Sequence, residues 1–438
     1  MSKVQSSRLD NDIVVLTEEM PQMHGVGISL LVDAGPQDET ESERGLAHVC
    51  EHALFLGTET RSEQQIAELI DTAGGQLGAF TARDYTCLFA SISADYVTYA
   101  MDLLGDLLSN SRFSPDRLRN ELDVIGHEID SHEDETEAAL DSELKDMLWA
   151  NDPLGRSILG FRESISQLGT EDVFRFVNRN YTGDRIIVAA AGQIDHDNFV
   201  ELANDSFWQI SGVDQRVDRQ PAASRGGVVI RPSSQRSCLV NVMLPTPTYQ
   251  YPNRYAFHVL TALLGGGMSS RLYRELRERN GLAYAASASW HAYGRGGALA
   301  IDVSTTPATA MSCLQKVFGE LVELAFEENA ITEEELWKAK MQVRGQAFLA
   351  NDSISTRVGR LTTQQLYFGN TIPTERMLAK IEDVTLDDVA EVAQNVIASG
   401  IQHTAVGLGG ALPCSVDQLR SEIDALRDCF SPAATDST

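Results

Sequence analysis

Three features of the sequence predict an α+β fold made of two homologous α/β-roll domains, each a mostly antiparallel sheet with helices packed on one face. The chain has 438 residues, more than one core of ~250–300 residues normally accommodates. The same order of strand-like and helical runs occurs twice along it. Helices and strands alternate irregularly, which disfavours a purely parallel, doubly wound sheet.

In the first half, Ile13–Leu16 and Val26–Val32 read as strands joined by polar residues. Helical stretches follow at Gly45–Leu56 and Ser62–Thr72. Thr86–Ile92 is strand-like, Tyr96–Leu108 is an apolar helix, and a long helix begins at Pro115. Ser114 supplies its cap and Pro115 its first turn, where a missing N–H does no harm. Ile186–Ala191 is the last apolar strand of this half.

The second half repeats that order. Val228–Ile230 and Leu239–Leu244 precede helices near Tyr255–Leu264 and Ser269–Arg279. Ala298–Val303 is strand-like, Pro307–Phe326 helical, and a long helix starts after Thr332, where Glu335 completes a capping box. Thr404–Leu408 is the final strand. The segments FSPDRLRNELDVIGHEI and ITEEELWKAKMQVRGQA occupy matching places. The polar stretch Gly212–Arg225 is the expected join, so the domains are expected at 1–211 and 226–430, with a frayed tail at 431–438.

Composition narrows the function classes. A net charge of −28 leaves no basic stripe for nucleic acid and disfavours docking on anionic lipid. Solubility accounts for such acidity, which is also compatible with a negatively lined cavity preferring basic peptides. The six cysteines are scattered without CxxC spacing. They are expected as small buried hydrophobes in a reducing compartment. The N-terminal MSKVQSSRLDNDIVVLTEE resembles neither a signal peptide nor an Arg-rich presequence, and no run reaches the ~20 apolar residues of a membrane span. These features point to the cytoplasm.

The chemistry lies in His48-Val49-Cys50-Glu51-His52. On a helix, positions i and i+4 share a face, so both imidazoles can reach one ion. Zinc accepts neutral imidazole nitrogen and, with a third protein ligand, keeps a position open for water. Glu51 lies close enough to take a proton from that water, an inverted order of the H-E-x-x-H arrangement. The neighbours are apolar, and two buried histidines on one face would be hard to satisfy without a metal. A third ligand should be a carboxylate on another helix. Glu121 and Glu128 lie two turns apart on one face of the helix from Pro115, and spacing alone does not choose between them. Asp130, Glu133, Asp134, Glu135 and Glu137 read as a solvated face, and His127 projects to a different side from Glu128.

The ordered segments VDAGPQDE, GLAHVCEHALFLGT, AGGQLGAFTARDYT, ELDVIGHEID and LLGGGMSSRLYRELRERNGLAYAASAS resemble the pitrilysin-type (M16) zinc metallopeptidases. The likeness runs from Leu9 to about Ser399. It is closest to the short, two-domain branch that includes the mitochondrial processing peptidase subunits. In that family His-x-x-Glu-His is followed at a characteristic distance by a Glu. Ala53–His127 fills that interval here, which implies Glu128 as the third ligand of one Zn2+ per chain. Glu121 then matches a carboxylate that orients the ligands. The resemblance also implies that Arg277 and Tyr284 hold the scissile peptide and stabilise the oxyanion. On residues alone, Arg277 belongs to a charged helix and Tyr284 to a strand edge. The run Gly265–Gly267 is best explained by a tight turn.

Short-branch members form chambered dimers, so the resemblance implies a homodimer, or a heterodimer with a paralogue, in which Arg277 and Tyr284 act in trans. Substrate would add as a strand at Ala79, Phe80 and Thr81. One departure stands out: Gly78 replaces the Asn expected in GGQLGAFT, removing an anchoring hydrogen bond to substrate. The leading expectation is a zinc endopeptidase acting on short or unfolded peptides. A narrow precursor-processing peptidase with a partner subunit is the alternative, and a non-catalytic scaffold the third reading, against which the complete His48, Glu51, His52 and Glu128 set speaks.

Overall fold

The central strands carry apolar residues on both faces, and that double burial decides how each sheet is covered. The structure is a computed structural model that describes residues 3–72, 74–211, 219–327 and 330–430. Residues 212–218 of the expected join and the expected tail at 431–438 lie outside the described residues. The chain divides into two compact units. One comprises Met1–Asp130, Arg156–Asp218 and Leu349–Ile372; the other comprises Ser131–Gly155, Arg219–Phe348 and Pro373–Thr438.

The first unit holds a six-stranded sheet of β1 (Lys3–Arg8), β2 (Val14–Glu19), β3 (Gly25–Val32), β4 (Gln76–Thr81), β5 (Thr86–Ser93) and β6 (Ile186–Gly192), in the order β1-β2-β6-β3-β5-β4. β2 and β6 are parallel, and the other neighbours are antiparallel. Its helices include α1 (Leu46–Ala53), α2 (Glu63–Thr72), α3 (Val97–Ser109) and α4 (Pro115–Asp134), of which the last turn, from Ser131, is grouped with the other unit. The other unit receives α5 (Thr136–Leu148). Its five strands are β7 (Gly227–Pro232), β8 (Cys238–Thr246), β9 (Ala283–Ala292), β10 (Gly297–Thr305) and β11 (Ala405–Gly410), in the order β7-β11-β8-β10-β9. Again one pair, β7 and β11, is parallel. The two sheets share a topology, with β1 added in the first, as the repeat predicts.

Side chains alternate along each strand. In β3, Val26, Ile28, Leu30 and Val32 face the main helical core, whereas Leu31 joins a second cluster with Leu16, Ile187, Ala189, Ala191, Val358 and Leu361. This second face is covered by the helix Ile354–Phe368. It is held by an ion pair from Arg357 to the buried Glu18 and by Tyr367 Oη donating to Asp84 Oδ2 over 2.7 Å. In the other unit α5 does the same, packing Leu140, Leu144 and Leu148 on Met243, Ala298, Ala300 and Ala405. Small residues permit this approach: a Cβ at Gly407 would sit 2.8 Å from Leu144 Cδ1, and one at Gly27 2.7 Å from Ile354 Cγ2. The main helical layer thus lies on one face, as expected, and one further helix covers the other.

Other expectations change in detail. The long helix from Pro115 is two helices, broken at Glu135, whose backbone is extended. Four cysteines are buried as expected, but Cys414 is half-buried and Cys429 exposed, so burial is not common to all six. Cys429 follows the apolar face of a terminal helix, Val416–Phe430, and faces solvent. No helix among the described residues is long and apolar enough to cross a membrane.

Leu144 is fully buried against the second unit's sheet. Leu144→Ala should therefore destabilise that unit by about 2–5 kcal/mol in denaturant titration. A loss below about 1 kcal/mol would show that α5 is not part of its core.

Candidate metal centre

α1 is positioned from its first turn. Gly45 adopts φ +90°, and a Cβ there would lie 2.9 Å from Gly160 Cα and from Leu159 O, so this is a place for glycine. Glu39 reaches the buried start of the helix, its carboxyl oxygens accepting from the backbone N–H of Gly45 (3.1 Å) and of Ala47 (2.8 Å). These bonds satisfy donors that a helix start leaves unpaired. Burial outweighs the two N–H donors and pushes the Glu39 carboxyl up to about 8. Leu46, Ala47, Val49, Cys50 and Ala53 are fully buried, which orients the polar side of α1. That side carries His48, Glu51 and His52.

α4 supplies the carboxylates. Its apolar residues Leu118, Ile125 and Ile129 are buried in the core, and Glu121 and Glu128 lie on the side facing α1. His52 Nδ1 and Glu121 Oε1 are 2.7 Å apart. This bond places the proton on Nδ1 and leaves the Nε2 lone pair available. Glu128 Oε2 lies 3.6 Å from His52 Nε2 and 3.8 Å from His48 Nε2, beyond hydrogen-bond reach of either. Ligand atoms of His48, His52 and Glu128 all fall within 4.8 Å of one another. Donors bound to one tetrahedral zinc at 2.0–2.2 Å are separated by about 3.3 Å, so small adjustments suffice to close the set.

The donor chemistry fits as well. His48 is buried, its Nδ1 has no hydrogen-bond partner, and burial with the neighbouring His52 lowers it to about 4. It is therefore neutral near pH 7, the form that ligates. Two imidazoles and a carboxylate suit Zn2+ and leave a fourth position free. Glu51 stands on the same side of α1, with Thr81 Oγ1 donating to its Oε2 over 2.6 Å. Burial raises Glu51 above the ordinary carboxylate range, while the Thr81 hydrogen bond opposes the rise.

The sequence-derived residues thus fall into two sets. His48, Glu51, His52, Glu121, Glu128 and Thr81 come together in the first unit. Ala79 and Phe80 accompany Thr81 on β4, the edge strand of that sheet, with Phe80 exposed. Thr81 is engaged with Glu51 through its side chain, a role its sequence position does not suggest. Arg277 and Tyr284 belong to the second unit. Arg277 lies in a π-helical stretch, Arg274–Arg279, over the Tyr273 ring at 5.1 Å; Tyr284 is exposed on β9. His127 is exposed on α4, off the donor set. Glu39 is missed by sequence reasoning, since an acid beside a Gly-Pro turn reads as solvated. Its position just ahead of a helix start was the available signal.

Two repeats of one sheet-and-helix unit, the first carrying paired imidazoles and a carboxylate able to hold a divalent cation, define a duplicated metal-binding class. Residues 14–162 match the family model described as Insulinase (Peptidase family M16), and residues 167–343 match the Peptidase M16 inactive domain. An uncharacterized zinc protease of Mycobacterium tuberculosis is 33% identical over 95% of this chain and 95% of its own length. One of Bacillus subtilis is 27% identical over 92% and 98%. Among solved structures, a protease from Helicobacter pylori aligns with TM-score 0.85 at 19% identity, covering 93% of this chain and 99% of that one. A peptidase M16 inactive domain from Pseudomonas fluorescens aligns with TM-score 0.84, also at 19% identity, covering 93% and 98%. The chain belongs to the pitrilysin-type, two-domain peptidase family M16.

Glu121 is hydrogen-bonded to His52 Nδ1. Glu121→Gln should weaken zinc affinity about 10–100-fold in competition with a chelator. Glu128→Gln, which removes a donor, should weaken it further. Equal affinities for all three proteins would exclude this donor set.

Proposed function

We propose that this protein is a zinc-dependent endopeptidase that hydrolyses short or unfolded peptides. His48, His52 and Glu128 hold one Zn2+, Glu121 orients His52, and Glu51 is the general base. The observation that carries the reading is the convergence of three ligand atoms within 4.8 Å, with the Glu51 carboxylate held beside them by Thr81. Bound zinc supplies a Lewis acid that polarises a peptide carbonyl and lowers the pKa of water.

The protein's own residues do the rest. A peptide lies along β4 as an added strand, hydrogen-bonded through the backbone of Ala79, Phe80 and Thr81. That pairing fixes the scissile carbonyl and leaves side chains free to vary, which suits peptides of many sequences. Glu51 takes a proton from the attacking water and passes it to the leaving amine. Its raised proton affinity, a result of burial, makes it a stronger base than a solvated carboxylate. Thr81 keeps one of its oxygens in place throughout. Arg277 and Tyr284 supply donors to the carbonyl oxygen as charge develops there. Both side chains are exposed within their own unit, which is consistent with their serving a second copy of the chain in a homodimeric chamber. The free and mostly buried cysteines suit a reducing compartment such as the cytoplasm.

Glu51→Gln keeps the zinc donors. It should retain the metal by elemental analysis while peptide cleavage falls about 10²–10⁴-fold. Undiminished cleavage would remove Glu51 from the role of base. Arg277→Ala should also be impaired. Mixing it with Glu51→Gln protein should restore cleavage that neither shows alone if Arg277 acts on a second copy. No recovery, despite demonstrated subunit exchange, would place Arg277 in the same chain's site.

A further inference from the structure

Gly78, which departs from the family pattern, shares a strand face with Phe80, and Phe80 lines a cavity that the proposed reaction does not use. Gly78 and Phe80 lie on the face of β4 opposite Thr81, because side chains alternate along a strand. On that face, beside the helix Ile354–Phe368, is a cavity of about 400 Å³ within the first unit. Its aromatic wall is formed by Phe80, Tyr85 and Phe89, with ring centroids 6.1 Å apart for Phe80 and Tyr85 and 6.3 Å for Phe80 and Phe89. Val358 and Gly359 contribute from the helix.

Gly359 keeps this space open from the helix, and Gly78 leaves the Phe89 ring of its wall uncovered. A Cβ at Gly78 would approach the Phe89 ring to 3.1 Å, so any larger side chain there would lie over that ring. A Cβ at Gly359 meets nothing within 4 Å. Among its buried polar groups, Ser29 Oγ lies 3.3 Å from both Cys87 Sγ and Thr362 Oγ1. Burial raises the Cys87 thiol to about 11, so it is a neutral wall and not a nucleophile. The volume falls near the lower end of the range for ligand pockets, about 300–1,000 Å³, and is ample for one large side chain.

We propose that this cavity is a specificity subsite for a large apolar or aromatic side chain of the peptide substrate, reached across the Phe89 ring that Gly78 leaves uncovered. The inference rests on strand addition at β4. In an added strand, every second side chain is directed to the face of Gly78 and Phe80. Thr81, bonded to Glu51, marks the reacting end. The selected residue is therefore about two to four positions from the cleaved bond. Replacing the family's Asn by Gly exchanges a polar contact with substrate backbone for access to an aromatic wall. Selectivity at one remote side chain takes the place of a general anchor.

The test uses pairs of peptides differing by Phe or Ser at each of those positions. At one position wild-type protein should prefer Phe at least about tenfold in kcat/KM. Gly359→Leu fills the cavity from a helical site where leucine is the better helix former, so folding should be preserved, as a thermal melt verifies. It should reduce the preference to within about twofold, and Gly78→Asn should reduce it as well. Binding of the same pairs to Glu51→Gln protein, followed by fluorescence anisotropy, separates the two ideas. Phe preference in binding without cleavage by wild type would overturn the hydrolase reading and retain the subsite. Cleavage with no preference at any position, preference unchanged in Gly359→Leu, or no peptide binding at all would overturn the subsite.

Discussion

A 2.7 Å hydrogen bond between His52 Nδ1 and Glu121 ties together two helices that are far apart in sequence, and the donor set depends on it. With the Nδ1 proton engaged, His52 presents Nε2 to the same space as His48 Nε2 and Glu128 Oε2. The alignment of α1 is secured at its other end by Glu39, which occupies the helix start as a backbone acceptor. Apolar burial of Leu46, Val49, Cys50 and Ala53 removes the remaining rotational freedom. Electrostatic and packing constraints thus act on one short helix, and its polar side has a single outcome.

Much of this was legible in the residues. The i, i+4 imidazoles, the intervening glutamate and the duplicated strand order required only periodicity and coordination chemistry. Helical spacing could not separate Glu121 from Glu128, because both lie on one face of α4; the difference is which ring nitrogen each approaches. β1 gave no signal, since KVQSSR is polar and is held by pairing with β2 and not by burial. The break at Glu135 lies within a continuous polar, acidic run, Asp130–Glu137, in which no apolar period shows where one helix stops and the next starts. Nor could the sequence show that Thr81 turns its hydroxyl to Glu51, a contact between residues on a strand and a helix.

The covering of the second sheet faces was obscured for a different reason. Ala405, Gly407 and Gly409 alternate with Val406 and Leu408, so β11 reads as continuously apolar and its two faces look alike. The difference lies in size. Small residues face α5 and branched ones face the main core, so the same strand meets helices at two distances. In β6 the division is partial: Ala189 and Ala191 face the helix Ile354–Phe368 together with Ile187, while Ile186, Val188 and Ala190 face the main core.

The helix Ile354–Phe368 also bears on how the protein is made. The first sheet contains strands near the N-terminus, yet its second face is completed by residues 349–372. During synthesis that face must remain uncovered until most of the chain has left the ribosome. Such long-range closure slows folding and prolongs the exposure of apolar strand surface. Chaperone occupancy of nascent chains should therefore persist well beyond completion of the first six strands and fall as this helix emerges.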